Sequence, residues 1–231
     1  MTTRALIVGA GGLGGPVALS LARAAELTIV DHDSVDVSNL HRQVQFTDTD
    51  VGQPKATRLA AAVCAVGGVA RGVVARWTPE TAEELGGDCD LIVDASDDPA
   101  TKFAACDWAV ANGRCYVIAA ALRYGGNVFA GVPGVACYRC LFEEPVEAPT
   151  CGEAGVLGPV VGAIGGVAAA IALGLVHGER THAGALLAFD DLRAVAEPRV
   201  VRFAPRPDCP ACRRAPISPL AALPVRVAKG P

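Results

Sequence analysis

Residues 4–14 read Arg-Ala-Leu-Ile-Val-Gly-Ala-Gly-Gly-Leu-Gly, and this stretch decides the fold. Arg4 to Val8 has the character of a buried parallel strand, and Val17 to Ala25 has the Ala and Leu content of a helix. Gly9, Gly11, Gly12 and Gly14 fill the turn between them. Backbone N–H groups and the helix dipole converge in such a turn, and side chains would block an approaching phosphate. Asp31 follows 22 residues after Gly9, at the end of the next apolar run, where a carboxylate accepts from ribose hydroxyls. The pattern reads as a nucleotide site. Gly9, Gly11 and Gly14 also satisfy the dinucleotide fingerprint, so an NAD-dependent oxidoreductase stays open on this motif alone.

Outward from the loop, strand and helix signals alternate. Strands are expected at Leu27 to Val30, Val69 to Ala75, Asp90 to Asp94, Tyr116 to Ala120 and Asn127 to Val132, the last two joined through Gly125-Gly126. Helices are expected from Pro54 to about Val66, Pro79 to Leu85 and Pro99 to about Asn112, with Ser38 capping a short turn before Asn39-Leu40. This order predicts an α/β fold: a Rossmann-like, mostly parallel sheet covered by helices on both faces. The later part differs in kind, with a long apolar helix, two strands near 184–190 and 197–203 that add antiparallel pairing, and two cysteine pairs. The expected division is one domain over 1–212, a nucleotide-binding half to about 135 and a second half from 136, followed by a tail at 213–231.

The chain has 231 residues, 52% apolar and 19% charged, with a net charge of −4, which gives no basic surface for nucleic acid or an anionic membrane. The N-terminus reads as a first strand rather than a signal peptide, and a cytoplasmic setting is expected. Val156 to Val176 is 21 residues without a charge, long enough to span a bilayer. Its glycines at 158, 162, 165, 166 and 174 and its lack of a polybasic flank favour a helix buried on all sides, so no membrane is expected.

Nine cysteines in a chain without a secretion signal argue against a disulfide framework. Cys137-Tyr-Arg-Cys140 and Cys209-Pro-Ala-Cys212 are two knuckles separated by 68 residues, each able to place two thiolates on one tetrahedral ion. Four soft ligands make a structural site, worth roughly 10–16 kcal/mol of folding free energy. Cys64, Cys89, Cys106 and Cys115 read as small buried residues. Cys151 sits in a Pro-rich loop, where an exposed thiolate is a candidate nucleophile.

Asp31-His-Asp-Ser-Val-Asp-Val-Ser-Asn-Leu-His-Arg-Gln43 and Val51-Gly-Gln-Pro-Lys55 make the reading specific. Together with the glycine loop and Ser96-Asp97-Asp98 at the end of the fourth strand, they resemble the MoeB/ThiF/HesA family, bacterial relatives of ubiquitin-activating enzymes, from Arg4 to Cys212. The resemblance implies ATP on the glycine loop, the ribose on Asp31, the adenosine and phosphate side near Asp33, Ser38, Asn39 and Arg42, and phosphates on Lys55. It implies that Asp97 holds catalytic Mg²⁺ and that the four paired cysteines hold Zn²⁺; Asp98, where the family has Asn, reads either as a second metal carboxylate or as the cap of the helix that starts at Pro99. The implied substrate is the C-terminal glycine carboxylate of a small sulfur-carrier or ubiquitin-like protein ending in Gly-Gly. Cys151 stands where the family has a cysteine that links to the activated carrier. A homodimer is implied as well.

The chemistry asks for the same residue types. A carboxylate attacking the α-phosphate meets like charge, so cations such as Arg42, Lys55 and Mg²⁺ must neutralise it. Relatives carry, before the first strand, a helix whose arginine reaches the neighbouring subunit's ATP site, and here the first strand begins at Arg4. Either an upstream start, a substitute such as Arg123 or Arg139, or a weakly catalytic zinc-stabilised scaffold that binds a ubiquitin-like partner would account for that difference.

Overall fold

The computed structural model of the chain describes residues 2–145 and 155–214. Strand β1 (Thr3–Val8) runs into helix α1 (Gly14–Leu21), which returns to β2 (Ala25–Val30). The helix begins and ends earlier than its composition suggests. Thr3 of β1 pairs with Ala25, so the parallel ladder claims Ala25 and Glu26 for the strand. Then follow α2 (Lys55–Ala65), β3 (Val69–Val73), α3 (Ala82–Gly86), β4 (Leu91–Asp94), α4 (Pro99–Ala111) and β5 (Cys115–Leu122). The chain continues through β6 (Gly125–Gly131), α5 (Tyr138–Leu141), α6 (Gly158–Val176), β7 (Ala185–Phe189) and β8 (Arg199–Arg202).

All strands join one sheet in the order β3-β2-β1-β4-β5-β6-β7-β8. The first five are parallel, and the last three add antiparallel pairings, as the sequence predicts. Alternation along β1 divides the core. Ala5 and Ile7 face α1, α2 and α6 with Val17, Leu59 and Ile164, whereas Leu6 and Val8 face α4 with Phe103, Cys106 and Trp108.

Gly125 and Gly126 do not form the β5–β6 connection. They lie inside β6, and the turn is Arg123-Tyr124, with Arg123 at φ 53°. The reason is steric: a Cβ on Gly125 would strike the Phe189 and Asp190 carbonyls, and one on Gly126 would sit 2.8 Å from Ile164 Cγ1. Helix α6 is likewise not buried on all sides. Val160, Val161, Ile164, Ala168 and Ala172 pack onto the sheet and α1, but Pro159, Gly162, Ala163, Gly166 and Ala170 are exposed. It is long and apolar enough to cross a membrane by composition, and half of it is buried against the sheet and α1.

The register sets the site. Val8 lies level with Val30 on one side and Asp94 on the other, and Val30 lies level with Val73. The carboxyl ends of four parallel strands therefore open onto one edge, where the strand order reverses between β1 and β4. Ligands bind at this position in open parallel sheets.

Candidate nucleotide and acyl-transfer site

A cleft of about 940 Å³ runs along that edge. Gly9, Gly11 and Gly12 line it. Gly9 takes φ 93°, and a Cβ there would lie 3.0 Å from the Ala95 carbonyl and the Ser96 nitrogen. Gly14 is outside the cleft wall. Its missing Cβ lets α1 close against the Gly9 carbonyl, so it serves helix–strand packing.

Asp31 braces this loop. One carboxylate oxygen accepts from Ala10 N–H at 2.7 Å and the other from Asp33 N–H at 2.8 Å. Asp33 in turn receives Lys55 Nζ at 3.1 Å and lies 3.1 Å from His32 Nε2. Lys55 is buried to 7% exposure, held by Pro54 and the start of α2, with its ammonium at the cleft wall. Arg42 and Asn39 also line the cleft, and Arg42 Nη1 donates to the Ser38 carbonyl at 3.3 Å. Ser38 itself is exposed and outside the lining. It does not cap its turn either: Asp36 does, accepting from Ser38 N–H at 2.8 Å, because the 3₁₀ turn starts one residue before the expected cap.

Asp97 and Asp98 face the cleft from the β4–α4 loop with different duties. Asp98 is the N-cap of α4, accepting from Ala100 N–H at 3.2 Å, Thr101 N–H at 3.1 Å and the Thr101 hydroxyl at 2.7 Å. Those bonds hold its carboxyl below the usual carboxylate range against the opposing pull of partial burial. Asp97 is exposed and makes no hydrogen bond or ion pair among the described residues. Its carboxylate is free for a ligand.

Three residues around the cleft are missed by the motif reading. Gln45 Nε2 donates to the Ala10 and Gly11 carbonyls, each at 3.0 Å, and ties the glycine loop from behind. Lys102 is buried under the Asp97 loop. Arg76, just past β3, is exposed and lines the cleft beside Trp77. Gln45 has a visible cue, one turn beyond Arg42 in a polar run, but nothing in composition shows which backbone it meets. Arg123 and Arg139, read from the sequence as candidate further cations for the site, do not line the cleft. Arg139 is clamped by Asp107, with Nη2 to Oδ2 at 2.7 Å, and stacks over Phe103 at 4.7 Å.

Beyond Asp97 the cleft continues over the ends of β5, β6 and β7. Its walls there are Ala120, Ala121, Gly125, Gly126, Ala188 and Phe189. Small side chains here leave the backbone of the strand ends close to whatever enters.

The paired cysteines converge in the core beside α4 and α5. Cys137 Sγ lies 3.8 Å from Cys140 and 3.5 Å from Cys209, and Cys140 lies 3.4 Å from Cys212. All four sulfurs fall within 4.8 Å of one another. Tetrahedral thiolates at about 2.3 Å from one zinc ion stand about 3.8 Å apart, so the spacing fits that ion. The Arg206 N–H points at Cys140 Sγ at 3.3 Å, the kind of outer-shell bond that steadies a metal thiolate. Of the other cysteines, Cys89 and Cys106 are buried as expected, but Cys64 is exposed at the end of α2. Cys151 lies outside the described residues.

Comparison with known proteins agrees with this geometry. The ThiF family model matches residues 1–211. The sulfur carrier protein adenylyltransferase of Thermus thermophilus is 40% identical over 222 residues, covering 90% of this chain and 81% of the relative. The SAMP-activating enzyme E1 of Haloferax volcanii is 38% identical over 221 residues, covering 92% and 81%. The adenylyltransferase and sulfurtransferase MOCS3 of Sus scrofa is 39% identical over 227 residues, 93% of this chain, which spans about half (49%) of that longer protein. Among solved structures, Escherichia coli MccB superposes with a TM-score of 0.80 over 91% of this chain and 67% of its own, at 17% identity, a likeness of fold. With the family match spanning nearly the whole chain and the cleft built from its motifs, the chain belongs to the ThiF family.

Proposed function

We propose that this chain is an adenylyltransferase that joins AMP to the C-terminal carboxylate of a small sulfur-carrier or ubiquitin-like protein. The observation that carries the proposal is Asp97: a carboxylate without a partner, in one cleft with a glycine loop and the cations Lys55 and Arg42. The relatives named for this activity give the same reading. They favour catalysis over a scaffold role, and an oxidoreductase would leave Lys55, Arg42 and Asp97 without work.

ATP would place its phosphates over Gly9, Gly11 and Gly12, with the ribose toward Asp31 and Asp33 and the base toward Ala75 to Trp77. Lys55 would exchange Asp33 for a phosphate oxygen. The carrier tail, ending in Gly-Gly, would lie along the Ala- and Gly-lined arm, where its extended backbone can approach the strand ends closely. Its carboxylate oxygen attacks the α-phosphorus, the bond to the β-phosphate oxygen breaks, and pyrophosphate leaves. Arg42 and Lys55 offset the charge gathered in that step. Mg²⁺ held by Asp97 would supply the remaining positive charge; with Asp98 committed to its helix cap, a single protein carboxylate suits a cation that keeps most of its waters. Ser38 and Gly14 shape the site without touching ATP.

Zn²⁺ on Cys137, Cys140, Cys209 and Cys212 would be structural, tying the chain after β8 to α5. The half 1–135 then holds the nucleotide, while the carrier arm draws on both halves of one shared sheet, with Ala120, Ala121, Gly125 and Gly126 from the first and Ala188 and Phe189 from the second. A cytoplasmic setting and a homodimer belong to the same proposal. The exposed face of α6, where Gly162 and Gly166 have open space beside them, suits close contact with a second copy. The reaction does not require Cys151. The test is carrier-dependent ATP–pyrophosphate exchange: it should appear with a Gly-Gly-ending carrier and vanish when the last glycine is removed. Exchange that ignores the carrier's terminus would overturn the proposal.

A further inference from the structure

Lys102 and Asp94 form an ion pair in the protein interior. Asp94 is fully buried and Lys102 is 6% exposed. The ammonium donates to Asp94 Oδ2 at 2.8 Å, the Ser96 carbonyl at 2.6 Å and the Ala119 carbonyl at 2.8 Å. Asp94 Oδ1 receives the Ser96 hydroxyl at 2.7 Å. A lysine ammonium has three N–H donors, and all three are spent on the protein. Although Lys102 borders the cleft, it has no donor left for a phosphate.

The bonds surround one residue. Ser96, before Asp97, is tied to the end of β4 and through Lys102 to β5. Asp98, after it, is tied to α4. Asp97 alone is free. Burying an ion pair is a poor way to gain stability, since apolar or neutral replacements of similar volume are often as stable or more so. Fixing the backbone on both sides of a metal-binding carboxylate is a use that would keep such a pair, because outer residues of this kind set ligand orientation.

We infer that Lys102, acting with Asp94, is a positioning residue that holds the Ser96–Asp98 loop so that Asp97 presents its carboxylate to the metal–nucleotide complex. The inference rests on the adenylation reading for Asp97. The variant Lys102→Met/Asp94→Asn removes both charges and keeps an acceptor for Ser96. Compared with the parent chain, ATP affinity without metal and melting temperature should be nearly unchanged. Mn²⁺ affinity in the presence of ATP should fall about tenfold, and exchange kcat by about 10- to 100-fold with little change in KM for ATP. In an Asp97→Asn background the same pair of substitutions should cost nothing further.

Equal Mn²⁺ affinity and kcat in parent and variant would overturn the inference, as would a loss that adds in full to that of Asp97→Asn. Should the double variant fail to fold, Ser96→Ala removes the hydroxyl tie to Asp94 Oδ1 and leaves both charges of the ion pair in place, and it should lower Mn²⁺ affinity while sparing ATP. No change there would overturn the inference too. Parent chain that binds Mn²⁺ with ATP but shows no exchange would sink the adenylation reading alone. Parent chain that binds no Mn²⁺ with ATP would sink both.

Discussion

Replacing Gln45 by glutamate changes one atom type and should disable the phosphate cradle. In the native chain the Gln45 amide nitrogen donates to the Ala10 and Gly11 carbonyls at 3.0 Å each, and Gly15 leaves the room for it, since a Cβ there would lie 2.8 Å from that nitrogen. A glutamate of the same shape loses both bonds and sets carboxylate oxygens against carbonyl oxygens. Two lost bonds are worth about 1 kcal/mol each, and unpaired, repelled acceptors add to this, so the expected loss is about 2–3 kcal/mol. For a chain of this size that is a fall in melting temperature of roughly 5–10 °C. Gln45→Met loses the bonds without the repulsion and also removes the buried Oε1 that has no partner, so it should cost about half as much.

The sign of the pH dependence follows. Repulsion raises the folded-state pKa of the introduced carboxyl, so the penalty is complete above that pKa and shrinks below it, where the protonated carboxyl again donates to one carbonyl. Thermal melts of the three proteins between pH 4 and pH 8, with ATP affinity by calorimetry, read both effects. A Gln45→Glu protein as stable as Gln45→Met at pH 8, with parental ATP affinity, would refute the bracing argument.

Other consequences are as direct. Asp98→Ala should destabilise the chain by about 1 kcal/mol through loss of the α4 cap, whereas Asp98→Asn should be near neutral in urea melts, because Asn caps as well as Asp. Asp50 accepts from Thr47 N–H at 2.8 Å and from Arg58, and the Thr47 bond leads in holding its carboxyl below the usual carboxylate range. Its stabilisation is therefore present above the unfolded-state carboxyl pKa and lost as pH falls through the lower folded value, so Asp50→Asn, costing about 1–2 kcal/mol near pH 7, should converge on the parent only as the pH falls below that folded value. Stripping metal with a strong chelator, or Cys209→Ser, should lower the melting temperature far more than Cys64→Ser, since Cys64 is exposed and apart from the cluster.

The fold is legible where local signals and tertiary demands agree. The apolar run before Gly9, the capped start of α4 at Pro99 and the two cysteine knuckles each appear where the sequence places them. The errors fall where long-range contact decides. Ala25 joins β2 because Thr3 lies beside it, and Gly125 and Gly126 belong in a strand because β7 and α6 press on them. Helix α6 has no polar face, so its sequence hides which side meets the sheet. At the site, motifs locate Asp31, Arg42, Lys55 and Asp97. They do not show that Gln45 and Lys102 brace the loops, because those roles depend on backbone groups 35 residues away in one case and on a neighbouring strand in the other.

The central claim is that a carrier carboxylate attacks the α-phosphorus of ATP in this cleft. The most direct measurement labels the carrier's C-terminal carboxylate with ¹⁸O, incubates it with ATP and the chain, and releases the acyl group with hydroxylamine. AMP carrying one ¹⁸O, together with pyrophosphate, is the predicted result, lost in Asp97→Ala. Unlabelled AMP, or ADP with ¹⁸O in inorganic phosphate, would contradict it.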